Sequence, residues 1–330
     1  MHFSRLATVV LFLGCNTPPD IAVNDSGVDS GTLLDAGPPA VPRHFVIDVV
    51  RMPSNTTEAR QYGLDLNGDG TVDNQFGVLT GTLAGQGLEN RRTQDAIETG
   101  SISVLLDVIT PDLTTASSAK VRVLVGANPM PTPCASDGGV DAGSVCGQHL
   151  KGTGSFTFVP RMPEPAALVG SISGGVLNAG PGELSMALSV LGSQPVLLHL
   201  QSARVRLSGM TATTVQSGII AGGISESELD VNVYPSLQTS YAALVARDCT
   251  MTSNPPECGC LSGSTGKTLL ALFDAAPKNC QVSVAEIKGT SLIQALLAPD
   301  LAVDGGADAR LLSFGVGISA VKGAYLVGGE

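Results

Sequence analysis

Nine residues hold the densest chemistry in this chain. Asp65-Leu-Asn67-Gly-Asp69-Gly70-Thr71-Val72-Asp73 sets side-chain oxygens at every second position of a glycine-broken segment. Oxygens at that spacing wrap a hard cation as a loop turns, and a glycine in the middle permits the sharp bend. The chemistry is calcium coordination. Asp65, Asn67 and Asp69 offer side-chain oxygens, Thr71 its carbonyl, and Asp73 a carboxylate that binds directly or through water.

The segment resembles an EF-hand or dockerin-type calcium loop over about twelve residues and its flanks. Val72 is apolar where such loops are apolar, and the flanks read as helical. The resemblance implies a bound Ca2+ with a structural role. One position departs: the bidentate Glu that closes an EF-hand loop is Phe76 here. The site then needs another ligand from outside the loop, or waters. The expected affinity is that of extracellular modules, roughly 10⁻⁴–10⁻³ M.

The other motifs carry less. Phe273-Asp274 with Ser283 and Glu286 faintly echoes a second calcium loop, but Lys278 and Cys280 fall inside it and a helix-capping box already explains Ser283 and Glu286. Ser264-Thr-Gly266-Lys267-Thr268 looks like the end of a P-loop, yet Leu261 stands where the first glycine belongs, and a plain helix start is the better reading. Cys258-Gly-Cys260 has no partner CxxC and no nearby His, so disulfides are expected. His44, His149 and His199 are scattered. No Gly-x-Ser-x-Gly elbow or His-Glu-x-x-His is present. No catalytic residue is assigned, and the chain is not read as an enzyme.

These residues need a compartment. Met1 to Arg5 is a short positive head, Leu6 to Leu13 an apolar run, and Gly14-Cys15 follows. That order is a secretory leader, and about eight apolar residues are too few to span a bilayer. Gly-Cys here resembles the lipobox of bacterial lipoproteins, which implies that Cys15 is lipidated and becomes the mature N-terminus. Phe12 and Leu13 depart from the usual Leu and small residue. The chain has seven cysteines. With Cys15 set aside, six remain for three disulfides in an oxidising envelope. Cys134–Cys146 is the natural first pair. Cys249, Cys258, Cys260 and Cys280 allow three connectivities. Direct pairing of Cys258 with Cys260 is strained, so crossed partners with Cys249 and Cys280 are favoured. A formal net charge of −11 argues against nucleic acid and anionic lipid as electrostatic partners; no nucleotide is expected either.

Around the loop, the pattern places elements. Residues 16–43 are rich in Pro, Gly and Asp, and read as a disordered tether. Phe45 to Val50 reads as a strand. Asn55-Thr-Thr-Glu58 caps a short helix to about Tyr62. Val72, Phe76, Leu79 and Leu83 recur at helical spacing, and a further helix covers 89–99. From 101 the period becomes two: 102–108, 121–125, 155–158, 184–190 and 197–207 alternate as antiparallel strands. A helix from Ser225 through Leu244, kinked at Pro235, a helix near 268–273, another from Ser283 through Leu297, and a last strand at 311–322 complete the list.

The fold class is therefore α+β: an antiparallel β body, sandwich or partial barrel, with packed helices. The segments are 1–14 leader, 15–43 lipidated tether, 44–100 helical segment with the calcium loop, and 101–330 β-rich body, with 44–330 able to form one domain. The chain also resembles lipoproteins of Gram-negative bacteria with Asp-x-Gly tethers, which implies location only. The leading expectation is a cell-envelope lipoprotein, held to the outer membrane or cell surface by lipid and secreted if unlipidated. Its calcium-stabilised, disulfide-stapled domain would bind an unknown protein or serve a structural role. The alternative is a carrier holding a hydrophobic ligand in a β-lined cavity. The third is a hydrolase, which needs a cleft where a Ser or carboxylate meets a histidine.

Overall fold

Alternating strands with an apolar inner face bury it best by closing on themselves, and this chain does so. The computed structural model describes residues 38–84, 92–136, 144–158, 166–189, 195–251, 258–302 and 310–327. The leader, Cys15, the tether to residue 37 and the start of the helix expected over 89–99 lie outside them. From Pro38 onward the residues form one compact unit. No helix among the described residues is long and apolar enough to cross a membrane.

The chain begins with β1 (Val41–Arg51), which starts inside the segment read as tether. Helices α1 (Thr56–Gln61), α2 (Gln75–Ala84) and α3 (Arg92–Glu98) follow, then β2 (Ser103–Thr110) and β3 (Ala116–Met130). A first excursion carries the short β4 (Ala135–Ser136), β5 (Ser144–Val145) and β6 (Gly154–Phe158). A meander then runs through β7 (Leu168–Ser173), β8 (Val176–Leu188), β9 (Val196–Met210) and β10 (Thr214–Ser225). The second excursion holds α4 (Glu226–Glu228), α5 (Tyr234–Asp248), the ribbon β11 (Cys249–Met251) and β12 (Cys258–Cys260), α6 (Thr265–Phe273), α7 (Val284–Gly289), α8 (Ser291–Leu296) and β13 (Leu301–Ala302). The long β14 (Arg310–Val327) returns to the body.

Hydrogen bonds join β1, β2, β3, β7, β8, β9, β10 and β14 in a closed antiparallel ring, because β14 pairs back onto β1. Apart from the two excursions, neighbours in the ring are neighbours in sequence: an up-and-down barrel. The expected α+β class with a barrel-like antiparallel body holds; the sandwich alternative does not, and the barrel closes fully, which leaves the ring without a free edge. β6 bridges the ends of β3 and β14 and closes a second, smaller ring with β1 and β2. The outer faces of those strands thereby gain a core of their own, Val46, Leu105, Leu124 and Phe156. This is why β2 is buried on both faces.

The barrel is filled. Phe45, Leu106, Met186, Leu198, Val205 and Phe314 are buried in one hydrophobic cluster that continues into the helices through Leu79, Tyr241 and Phe273. Where β1 leaves β2, Gln94 on α3 replaces the missing strand. Its amide accepts from the Val50 N–H at 3.0 Å and donates to the Asp48 carbonyl at 3.1 Å.

Three expectations shift in detail. Val72 is 43% exposed and lies before α2, so the helical spacing starts at Phe76. The helix kinked at Pro235 is instead α4, a π-helical turn at Leu229–Val233, and α5 with the proline in its first turn, where no N–H is needed. The helix from Ser283 breaks at Thr290 into α7 and α8.

Candidate functional site

The acidic loop lies between α1 and α2, and both ends are pinned. Asp73 N–H donates to the Leu64 carbonyl at 3.0 Å, closing a one-residue bridge. Asn74, buried next to it, accepts from the Gly77 N–H at 2.9 Å to cap α2. Its amide also donates to the carbonyls of Ala59 and Gly315, each at 3.0 Å. One side chain thus ties α1, α2 and β14 together at the loop's exit.

Within the loop, short polar side chains fold back on the backbone, the turn chemistry of Asx residues. Asp65 accepts from Gly68 N–H at 2.6 Å and Gly70 N–H at 2.9 Å. Asn67 accepts from Asp69 N–H at 3.0 Å, Asp69 from Thr71 N–H at 2.7 Å, and Asp73 from Leu66 N–H at 2.8 Å. The donor bond from Thr71 holds the Asp69 carboxyl below its ordinary range. Asp73 moves the other way: burial pushes it up, and the carboxylates of Asp300, Asp69 and Asp65 add to the rise against the opposing Leu66 bond.

Asp300 is the residue the sequence reading missed. It precedes β13 and reaches the loop from outside. Its carboxylate accepts from Ser313 N–H at 2.7 Å and from the Ser313 hydroxyl, whose oxygen in turn accepts from Gln75 N–H at 2.6 Å. No local motif marks it, since 227 positions separate it from Asp73. The donor types suit a hard cation, but the ligand atoms are not gathered. Among the described residues, the group of three metal-type side chains with ligand atoms within 4.8 Å is Cys258, Asp274 and Cys280. Two of those are a disulfide.

The three expected disulfides are Cys134–Cys146, Cys249–Cys260 and Cys258–Cys280. Cys258 and Cys260 take separate partners, as strain requires. Asp274 accepts from Asn279 and Cys280 N–H groups at 3.0 Å, so its oxygens shape the loop before Cys280. At the P-loop-like segment, the Gly266 N–H donates to Asp248 at 2.8 Å, and Ser264 caps α6. A carboxylate already occupies the place a phosphate would take.

Two histidines meet carboxylates. His44, Asp107 and Arg122 stand abreast on β1, β2 and β3. Asp107 is 1% exposed, accepts from Arg122 at 2.7 Å and lies 2.5 Å from His44 Nδ1. The Tyr325 ring packs on His44 at 4.6 Å, and its hydroxyl donates to the Phe45 carbonyl. Burial holds that phenol well above its ordinary range. The row seals the smaller ring with one satisfied carboxylate. On β8 and β9, Ser185 Oγ is 3.3 Å from His199 Nδ1, and Glu183 is 3.7 Å from Nε2. These are the residue types of a hydrolytic relay. They lie on an open face, however, with the Glu183 side chain 68% exposed, and lack the dry, donor-lined surroundings that stabilise an oxyanion. His149 is fully buried beside Phe156, with the Ile97 backbone as a polar neighbour of its ring.

Concave surface lies outside the barrel. A cleft of about 430 Å³ sits between the end of α6 and α7, and a groove of about 240 Å³ runs along α5 past Cys249 and Cys280. A third pocket, of about 220 Å³, adjoins the acidic loop at Leu66 and Asn67. Compared with known proteins, the chain matches no protein-family model, and no curated protein or solved structure matches it.

Proposed function

We propose that this chain is an exported cell-envelope lipoprotein whose barrel is a binding or structural domain, anchored through Cys15 and stiffened by one calcium ion. The observation that carries the reading is the cysteine pairing: six cysteines close three disulfides, leaving Cys15 as the odd one. Structural disulfides belong to oxidising compartments, and a single cysteine directly after a leader is the residue that lipidation uses. Anchoring by two or more acyl chains is stable, at about 0.8 kcal/mol per buried CH₂.

Calcium would take the oxygens of Asp65, Asn67, Asp69 and Asp73 with the Thr71 carbonyl, and Asp300, whose charge acts on Asp73, would add to the negative charge that Phe76 does not supply. Asp65 and Asp69 can keep their backbone N–H partners while ligating the ion, since each carboxylate has spare lone pairs. Asp73, held up by burial and by three neighbouring carboxylates, is the group a cation would relieve most.

The filled interior favours this reading over a carrier. Eight-stranded barrels either fill with side chains or hold one small ligand, and Phe45, Leu106, Met186 and Phe314 occupy the described interior. The deciding experiment is acyl labelling in a Gram-negative host: wild type should take label, and Cys15→Ala should take none. Equal labelling of the two would overturn the anchor. Calcium should raise the melting temperature of the soluble body, and Asp69→Ala should remove that rise.

A further inference from the structure

The pocket beside the acidic loop contains a charge with no partner among the described residues. Arg204 lies on the outer face of β9, part-buried, and its Nε is inaccessible to solvent without a hydrogen bond. No ion pair or hydrogen bond among the described residues engages its guanidinium. Buried polar groups are ordinarily satisfied and buried charges paired, so this arginine is an exception that needs a cause.

The backbone around it is distorted to make room. The β8–β9 ladder slips between Ala179 and Gly182 and again before Leu184, and the β9–β10 ladder slips between Ala221 and Gly223. Bulges re-aim side chains and gather beside binding sites. Ser202, with φ of 48°, sits in the left-handed region that a residue with a Cβ disfavours. Across from it, Gly180 has φ of 109°, and a Cβ there would fall 2.3 Å from the Ala203 carbonyl and 3.2 Å from Arg204 Cγ. Only glycine leaves that niche open for the arginine stem.

The result is a pocket of about 220 Å³ lined by Leu66, Asn67, Pro181, Ser202, Arg204 and Leu301 among others. Guanidinium, hydroxyl and amide share it with an apolar rim, and the Ser202 hydroxyl also lacks a partner among the described residues. Drug-sized ligands occupy about 300–1,000 Å³, so this pocket suits something nearer a monosaccharide. A guanidinium fork matches a carboxylate in two parallel bonds, while a hydroxyl and an amide match hydroxyl groups. We propose that Arg204, Ser202 and Asn67 form a binding site for a small hydroxylated carboxylate, of the uronic-acid class. Arg204 pairs the carboxylate, and Ser202 and Asn67 select the hydroxyl-bearing ring. The site shares Asn67 with the acidic loop; Arg204 and Ser202 lie outside that loop, and the site does not rest on the lipid anchor or on bound calcium.

Galacturonate and galactose are the probes, titrated by calorimetry into the folded body with calcium and again with chelator. Galacturonate should bind and galactose should bind at least tenfold more weakly. Arg204→Met, which keeps the apolar stem, should reduce galacturonate affinity at least tenfold. Its melting temperature should match or exceed that of wild type, since a part-buried charge with no partner among the described residues is removed. Absence of galacturonate binding in both conditions, equal binding of the two sugars, or unchanged affinity in Arg204→Met would overturn the proposal. So would a lowered melting temperature in Arg204→Met with unchanged sugar binding, which would make Arg204 a counter-charge for the acidic loop.

Discussion

The barrel and its two excursions are held together by different means. None of the six paired cysteines lies in a strand of the eight-membered ring: Cys134 and Cys146 belong to the first excursion, the other four to the second. The ring has a closed hydrogen-bond circuit and a continuous apolar interior. The excursions have helices of 3 to 15 residues and strands of two to five, and the second packs Tyr241 and Phe273 into the ring's own apolar cluster. Neither has a closed strand circuit to hold its segments together, and cross-links serve there instead. What the ring uses instead is a polar row, His44–Asp107–Arg122, centred on the buried Asp107, which fixes the register of three strands at once. A one-residue slip in any of them would separate the row and leave Asp107 unpaired.

That contrast breaks most visibly at Asp107. Asp107→Ala should cost about 1–3 kcal/mol, because charge-assisted hydrogen bonds are lost while the part-exposed His44 and Arg122 side chains can turn to solvent. The loss should appear as a lower midpoint in urea for the whole cooperative transition. Asp107→Asn, which keeps an acceptor, should cost less. A variant as stable as wild type would mean that apolar contacts alone set the register.

The excursions should respond locally. Replacing Cys258 and Cys280 together by Ser opens a closed loop of 22 residues, worth about 3 kcal/mol in the chain-entropy account. The effect should concentrate in α5, α6 and the β11–β12 ribbon. Amide exchange there should accelerate while the amides of β2 and β9 keep their protection. Equal acceleration in the barrel strands would show that the excursion and the ring unfold as one.

His149 sharpens the comparison at the junction between the two. It sits on a 3₁₀ turn, Gln148–Leu150, in the first excursion, and its ring enters the small core against Phe156. Burial pushes its pKa down. A histidine whose folded pKa is lowered resists protonation while the unfolded chain accepts it. Stability is therefore full above the ordinary histidine range near pH 6.5 and falls as pH drops below it. His149→Leu should flatten that fall, because no buried histidine is then left in the small core to titrate. An unchanged pH profile would place the acid sensitivity elsewhere.

Legibility followed the range of each interaction. The acidic loop was readable because its oxygens are contiguous in sequence. The strands β3, β8 and β9 were readable because each has a solvent-facing side that keeps the alternation. β10 was not: in Gly218-Ile-Ile-Ala-Gly-Gly-Ile224 the outer face is itself covered, by Leu64, Leu66 and Leu301 against Ala221, so no polar alternation survives. Closure of the barrel rests on Phe45 meeting Lys322, a pairing no local pattern encodes. Asp107 read only as one polar residue in an apolar run, because its partners stand beside it on other strands. Asp300 was hidden in the same way. The cysteine pairings sat between these cases: the strain argument separated Cys258 from Cys260, and the fold chose the partners.

The smallest effect tests how the acidic loop differs from both regions. It has neither a disulfide nor a satisfied charge row, and its half-buried Asp73 faces Asp300, Asp69 and Asp65. Asp73's folded pKa is raised, so its ionised form opposes folding at neutral pH, and that opposition vanishes as pH falls through the raised value. Asparagine removes the charge and keeps an oxygen for the Leu66 N–H. In chelator, Asp73→Asn should therefore melt at or slightly above wild type, by less than about 1 kcal/mol given the solvent screening of a group this exposed. In calcium the order should reverse. Wild type gains RT ln(1 + [Ca2+]/Kd), about 1–3 kcal/mol at ten to a hundred times Kd, and the variant gains less. Parallel behaviour of the two chains in both buffers would mean that the carboxylate repulsion at Asp73 is relieved by something other than a cation.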